Sequence, residues 1–173
     1  TAKGVLEGEF KFIRAYHYFN LVRYFGDVVL ATKTLTNPNE AFDLARSPQA
    51  DVYKQILTDL TDASKILPAK ATLRGRATQG AALSLLGKVY LTQKNYAAAG
   101  TTLKQVTSLG YALNANYKDN FDPAKKNGIE SIFEVQYQGG NDLGEQSNFV
   151  YVFAPRLSAG AVTGFANTVP SGR

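Results

Sequence analysis

The stretch LSLLGKVYLTQKNYAAAGTTLKQV, residues 83–106, decides how the rest of the chain is read. Ala82, Leu85, Leu86, Val89 and Tyr90 return at the steps of an α-helix. Lys94-Asn95 makes a tight turn, and a second helix runs on to Leu109-Gly110. So short a link forces the two helices to lie antiparallel. Small and large residues are placed for close contact: Gly87 lets the partner approach, Tyr90 fills the gap, and Ala99 keeps the inner face of the second helix narrow.

The order Leu83, Leu86, Gly87, Tyr90, Tyr96, Ala99 is similar to that of a tetratricopeptide hairpin, with Val106 where a smaller alanine is commoner. Working outward, Thr78 is the expected cap of the first of these helices. Before it, Val52, Ile56, Leu60 and Ala63 form one face of another helix, with Tyr53, Leu57, Ser64 and Leu67 beside them. Ser47-Pro48 predicts its start, as a capping hydroxyl followed by proline at the first helical position, and Pro68 its end. From Ala2 to Phe25 the steps of Phe12, Ile13, Tyr16 and Phe19 predict the earliest helix. Phe10, Ala15, Tyr18, Leu21 and Phe25 carry its apolar surface most of the way round, the pattern of a helix at the centre of a domain. Gly26 suits a left-handed stop, and residues 27–48 form a long connection around an Asn37-Pro38-Asn39 turn.

Beyond Gly110 the rhythm fades. IESIFEVQY, residues 129–137, alternates in part and is rich in β-branched and aromatic residues, which predicts a short strand or extended segment over 131–137. Residues 138–173 hold many glycines and small polar residues around isolated aromatics. The expected fold is therefore all-α, built of tetratricopeptide-like antiparallel helix hairpins, with an irregular, loop-rich C-terminal part containing a short strand. A single domain over 1–173 is expected, probable boundaries aside being unnecessary to it: 1–110 a helical scaffold and 111–173 a loop-rich ligand-face segment.

Composition closes several routes to function. With 173 residues and 45% hydrophobic content the chain can bury a core, and with no cysteine it forms neither disulfides nor thiolate metal sites. Its charge of +5 comes from 19 basic and 14 acidic side chains that are spread out, which argues against nucleic-acid binding. His17, Asn20, Arg23 and Asp27 interrupt the apolar run of residues 14–30 too often for a membrane span. His17 is the only histidine, so no paired-histidine zinc site exists, and a packed or surface role is expected. Gly75 and Gly80 have the gap of a phosphate loop, but Ala81-Ala82 stand where lysine and serine or threonine are needed. Asp59 and Asp62 read as a solvated face rather than a cation site, and KDNFDPAKKNGIE lacks the spacing of a calcium loop. Arg14, set among apolar neighbours, needs a carboxylate partner, for which Asp59 and Glu9 are both eligible.

Four motifs in order, EFKFIRAYHYFNLVRYFGDVVL, VYKQILTDLTDASKILP, GRATQGAALSLLGKVYLTQKNYAAAGTTLKQV and ESIFEVQY, resemble the SusD/RagB family of Bacteroidetes outer-membrane nutrient-binding lipoproteins over about residues 5–138. Val29 departs from the proline that usually follows the Gly-Asp pair. The resemblance implies part of a longer, non-catalytic protein without a cofactor or metal. It implies a lipid anchor outside this segment, a place on the extracellular face of the outer membrane, and delivery of captured oligosaccharide, or less often peptide, to a SusC-like TonB-dependent transporter.

A capture site needs flat apolar faces and a few amide, carboxylate or guanidinium groups. Gln136, Tyr137, Asn141, Asp142, Tyr151, Phe153 and Arg156, with Asn148 among them, offer that mixture and are the expected ligand-binding residues. Two other readings compete: a tetratricopeptide-type scaffold gripping a partner protein or peptide, and an enzyme using Asp142, Glu145 and Arg156.

Overall fold

The computed structural model describes residues 2–137. They contain four α-helices, α1 (Ala2–Phe25), α2 (Gln49–Ile66), α3 (Gln79–Thr92) and α4 (Tyr96–Thr107), all within one compact unit, Thr1–Glu134. A second unit begins at Val135, and only residues 135–137 of it are described.

The all-α, hairpin-based architecture is as expected. Along α1 and α2 the contacts run in opposite order: Gly8 lies against Ile66 and Leu67, Arg14 meets Asp59, and the Phe19 ring meets Tyr53. The two helices are therefore antiparallel. Phe12, Ala15, Phe19 and Val22 of α1 interleave with Val52, Ile56, Leu60 and Ala63 of α2, and Ala81, Ala82, Leu86 and Val89 of α3 complete the same core. In α4, Ala99, Thr102 and Val106 are buried. The α3–α4 contact turns on Gly87, where an added Cβ would stand 2.5 Å from Leu103 Cδ2. Tyr96, part of the hairpin spacing, is instead exposed.

The helix ends explain the connections. Gly26 closes α1 at φ +70. Two-residue strands, β1 (Val28–Val29) and β2 (Arg46–Ser47), then pair antiparallel and close the base of the long connection. Arg46 reinforces that base by donating to the carbonyls of Asp27 (2.8 Å) and Phe25 (3.1 Å). Here the structure corrects the expected cap: Pro48, not Ser47, occupies the N-cap of α2, and no side chain of its own caps it. Ser47 is paired with Val28 in the sheet, and the Asp27 carboxylate accepts instead from the Gln49 amide at 2.9 Å. Thr78 caps α3 as expected, accepting from the Ala81 amide, and Asn95 caps α4 by accepting from Ala98. Lys94 makes the turn between them at φ +61.

Side-chain charge sets the α1–α2 register. Arg14 donates to both Asp59 oxygens, at 2.8 and 2.6 Å, and a third bond reaches the Thr32 carbonyl. Glu9 pairs with Arg76, which settles the choice that Arg14 left open. Lys11 bridges Glu7 and Asp62, each at 2.9 Å. Asp59 is thus no solvated residue: it is 1% exposed and salt-bridged.

Candidate functional site

The expected ligand segment leaves the scaffold after α4, and its approach is pinned at several points. The Tyr111 hydroxyl lies 3.3 Å from Thr78 Oγ1, and its ring occupies the space that a side chain at Gly80 would need. The Ala112 amide donates to the Ile129 carbonyl, drawing the two ends of an irregular excursion together at 3.2 Å. Inside it, the Asn114 amide and the Asn120 side chain both donate to Glu130 Oε2, at 2.9 and 3.0 Å, while Asn114 Nδ2 donates to Asn120 Oδ1. These bonds hold the Glu130 carboxyl below the usual carboxylate range, the Asn114 amide contributing most.

Two 3₁₀ turns, Tyr117–Phe121 and Pro123–Lys125, fill the excursion. Asn116 and Asp122 cap them by accepting from the amides of Lys118 and Ala124, and Lys125 pairs with Asp119 at 2.8 Å. At the far end Ile132 packs against the helical core and Phe133 sets its ring edge-on to Phe12, centroids 5.1 Å apart. The Asn127 amide donates to the Glu134 carboxylate. The scaffold thus delivers the chain in a defined place at residue 134.

From there the backbone is extended but not paired: residues 131–137 form no strand, which corrects the strand alternative for this stretch. The reason is the use made of its side chains. Ile132 and Phe133 are spent on the core and on Phe12, and the Ser131 amide bonds locally to Gly128 instead of entering a ladder. Of the expected ligand residues, Gln136 and Tyr137 are both exposed on this extended backbone. Asn141, Asp142, Asn148, Tyr151, Phe153 and Arg156 lie outside the described residues.

The structure adds two residues that the sequence reading passed over. Tyr117 and Phe121 are exposed and meet edge-to-face with centroids 5.4 Å apart, one turn apart on the 3₁₀ segment. Their i, i+4 spacing was the available signal, masked by the Lys-Asp-Asn between them, which reads as plain loop. Such rings beside amide groups can stack on an apolar sugar face. His17 is exposed and meets only the edge of Tyr16 in an aromatic contact, as befits a surface role. Among the described residues no three His, Cys, Asp or Glu side chains gather into a metal site.

The family described as "starch-binding associating with outer membrane", SusD-like, matches residues 2–91, just over half of the chain. The chain belongs to the SusD-like family. A SusD-like protein of Formosa agariphila is 28% identical over 74% of this chain and 26% of its own length. A SusD-like carbohydrate-binding protein of Bacteroides fragilis superposes with TM-score 0.74 at 34% identity, over 79% of this chain and 28% of that one. A laminarin-binding SusD-like protein does so with TM-score 0.70 at 37% identity, over 75% of this chain and 30% of that one. The chain therefore spans between a quarter and a third of the length of these SusD-like relatives. The family description carries association with the outer membrane, and carbohydrate binding is a property of relatives within it.

Proposed function

We propose that the chain forms the scaffold of a non-catalytic protein that binds oligosaccharide, with peptide as the less favoured ligand, and passes it to a SusC-like TonB-dependent transporter. On this reading a lipid anchor outside the 173 residues holds the protein on the extracellular face of the outer membrane. The observation that carries the proposal is the similarity to a laminarin-binding SusD-like protein at 37% identity and TM-score 0.70. The helical unit supplies rigidity, and recognition falls to Gln136, Tyr137, Asn141, Asp142, Tyr151, Phe153 and Arg156.

The test is calorimetric titration of the purified protein with laminarin and starch oligosaccharides. Saturable binding of one of them is expected, weakened about tenfold by Tyr137→Ala as an aromatic stacking face is lost. Sugars recovered unchanged in length after incubation would agree with a binder. Their shortening, or the absence of binding to either series and to peptides, would overturn the reading.

A further inference from the structure

Helix α1 has two apolar faces, and the described residues cover one. Phe12, Ala15, Phe19 and Val22 point into the core. On a helix of 3.6 residues per turn, Leu6, Phe10, Ile13, Leu21 and Tyr24 fall on the opposite side. All five are exposed, Phe10 at 70% and Tyr24 at 77%. From Leu6 to Tyr24 the row is about 27 Å long. Exposed apolar residues scattered singly need no explanation, but a continuous row of this length marks a contact surface. His17 and Asn20 interrupt it with polar groups, so the surface suits an amphipathic partner with a few polar positions.

We propose that this row is closed over by a further helix of the same polypeptide, drawn from the part of the family's length that lies outside residues 1–173. Two observations favour this occupant over a separate protein. The SusD-like carbohydrate-binding structure is covered over only 28% of its length, which leaves ample chain to supply a helix. The charged groups of α1 are also largely committed elsewhere: Glu9 to Arg76, Lys11 to Glu7 and Asp62, and Arg14 to Asp59. What remains is apolar on two opposite sides, the composition of a helix inside a domain, whereas surfaces between separately folded partners are about as mixed as the rest of a protein exterior.

The absence of cysteine from the sequence makes the test direct. In the family-length protein, Phe10→Cys is treated with a maleimide, and modification at position 10 is read by peptide mass in the native and the urea-unfolded states. The expected result is modification at least about tenfold slower in the native monomer, since reaction there must await local opening. Equal rates would overturn the proposal. So would protection that appears only as protein concentration rises, which would assign the row to a second copy, or only when another protein is added. If Phe10→Cys does not fold, hydroxyl-radical oxidation of the unsubstituted monomer at Phe10 and Tyr24 gives the same comparison, with the same two readings. Neither measurement depends on glycan binding, so its outcome stands apart from that of the proposed function.

Discussion

The α1–α2 and α3–α4 pairs are both antiparallel, yet they are held by different means. Between α1 and α2 run charged contacts, Arg14 with Asp59 and Lys11 with Asp62, set beside an aromatic and aliphatic core. Between α3 and α4 the described contact is one of shape, with Leu103 seated against Gly87 and Ala99 buried opposite. The connections account for the difference. Residues 93–95 leave α4 little freedom of register, so complementary volume suffices. The connection from α1 to α2 covers more than twenty residues and leaves the register open. Buried charge then acts as a specificity device, because a slip of one turn would strand Asp59 without Arg14.

The largest expected effect breaks this device. Arg14→Met leaves Asp59 at 1% exposure with only the Gln55 amide as side-chain donor, and should cost about 3 kcal/mol of stability in chemical denaturation. Asp59→Leu in the same chain removes the stranded charge and should recover most of that loss. If the double variant is no better than Arg14→Met, the pair does not act as a unit and the contrast between the two hairpins fails.

A smaller effect is expected in the other pair. Gly87→Ala brings a methyl group to 2.5 Å from Leu103 Cδ2. Overpacking of this kind costs about 1–3 kcal/mol, against which alanine recovers nearly 1 kcal/mol of helix propensity, so a net loss of about 1 kcal/mol should appear in the same measurement. Adding Leu103→Ala should relieve the clash, so that Gly87→Ala becomes neutral or favourable in that background. A shape contact predicts that coupling together with indifference to salt, whereas the Arg14 contribution should weaken as salt rises.

What was legible in the sequence follows the same division. The α3–α4 hairpin could be read because its information is local: Gly87, Ala99 and the Lys94-Asn95 turn lie within one short stretch. Leu103 was missed because a leucine among Thr102, Lys104 and Gln105 says nothing of the glycine it meets. At the α1–α2 contact the need of Arg14 for a carboxylate was readable, but the choice between Asp59 and Glu9 was not, since it depends on where Arg76 falls. The cap of α2 failed for a like reason. Ser47 had the right chemistry, and pairing with Val28 from across the connection put it to another use. In the ligand segment, Gln136 and Tyr137 lie on exposed extended backbone as their polar and aromatic character suggested, but composition held no sign that Tyr117 and Phe121 would meet.

The smallest effect tests whether charge also sets register in a third place. The excursion after α4 returns by an irregular path, and Glu130 gathers its strands by accepting from Asn114 and Asn120. Its carboxyl is lowered first by the Asn114 amide and then by the Asn120 side chain. A folded value below the unfolded one means that this contribution is fully present above the unfolded carboxylate range and is lost as pH falls through the folded value. The Asn114 amide resonance should therefore move with acid at a midpoint below that of an ordinary glutamate, and Glu130→Gln should abolish the movement. The change should stay confined to this excursion, because the α3–α4 contact of Gly87 and Leu103 contains no titrating group. An Asn114 resonance that titrates at the ordinary glutamate value would mean that the carboxylate follows the fold of the excursion instead of setting it, and the rule drawn from the first two hairpins would end there.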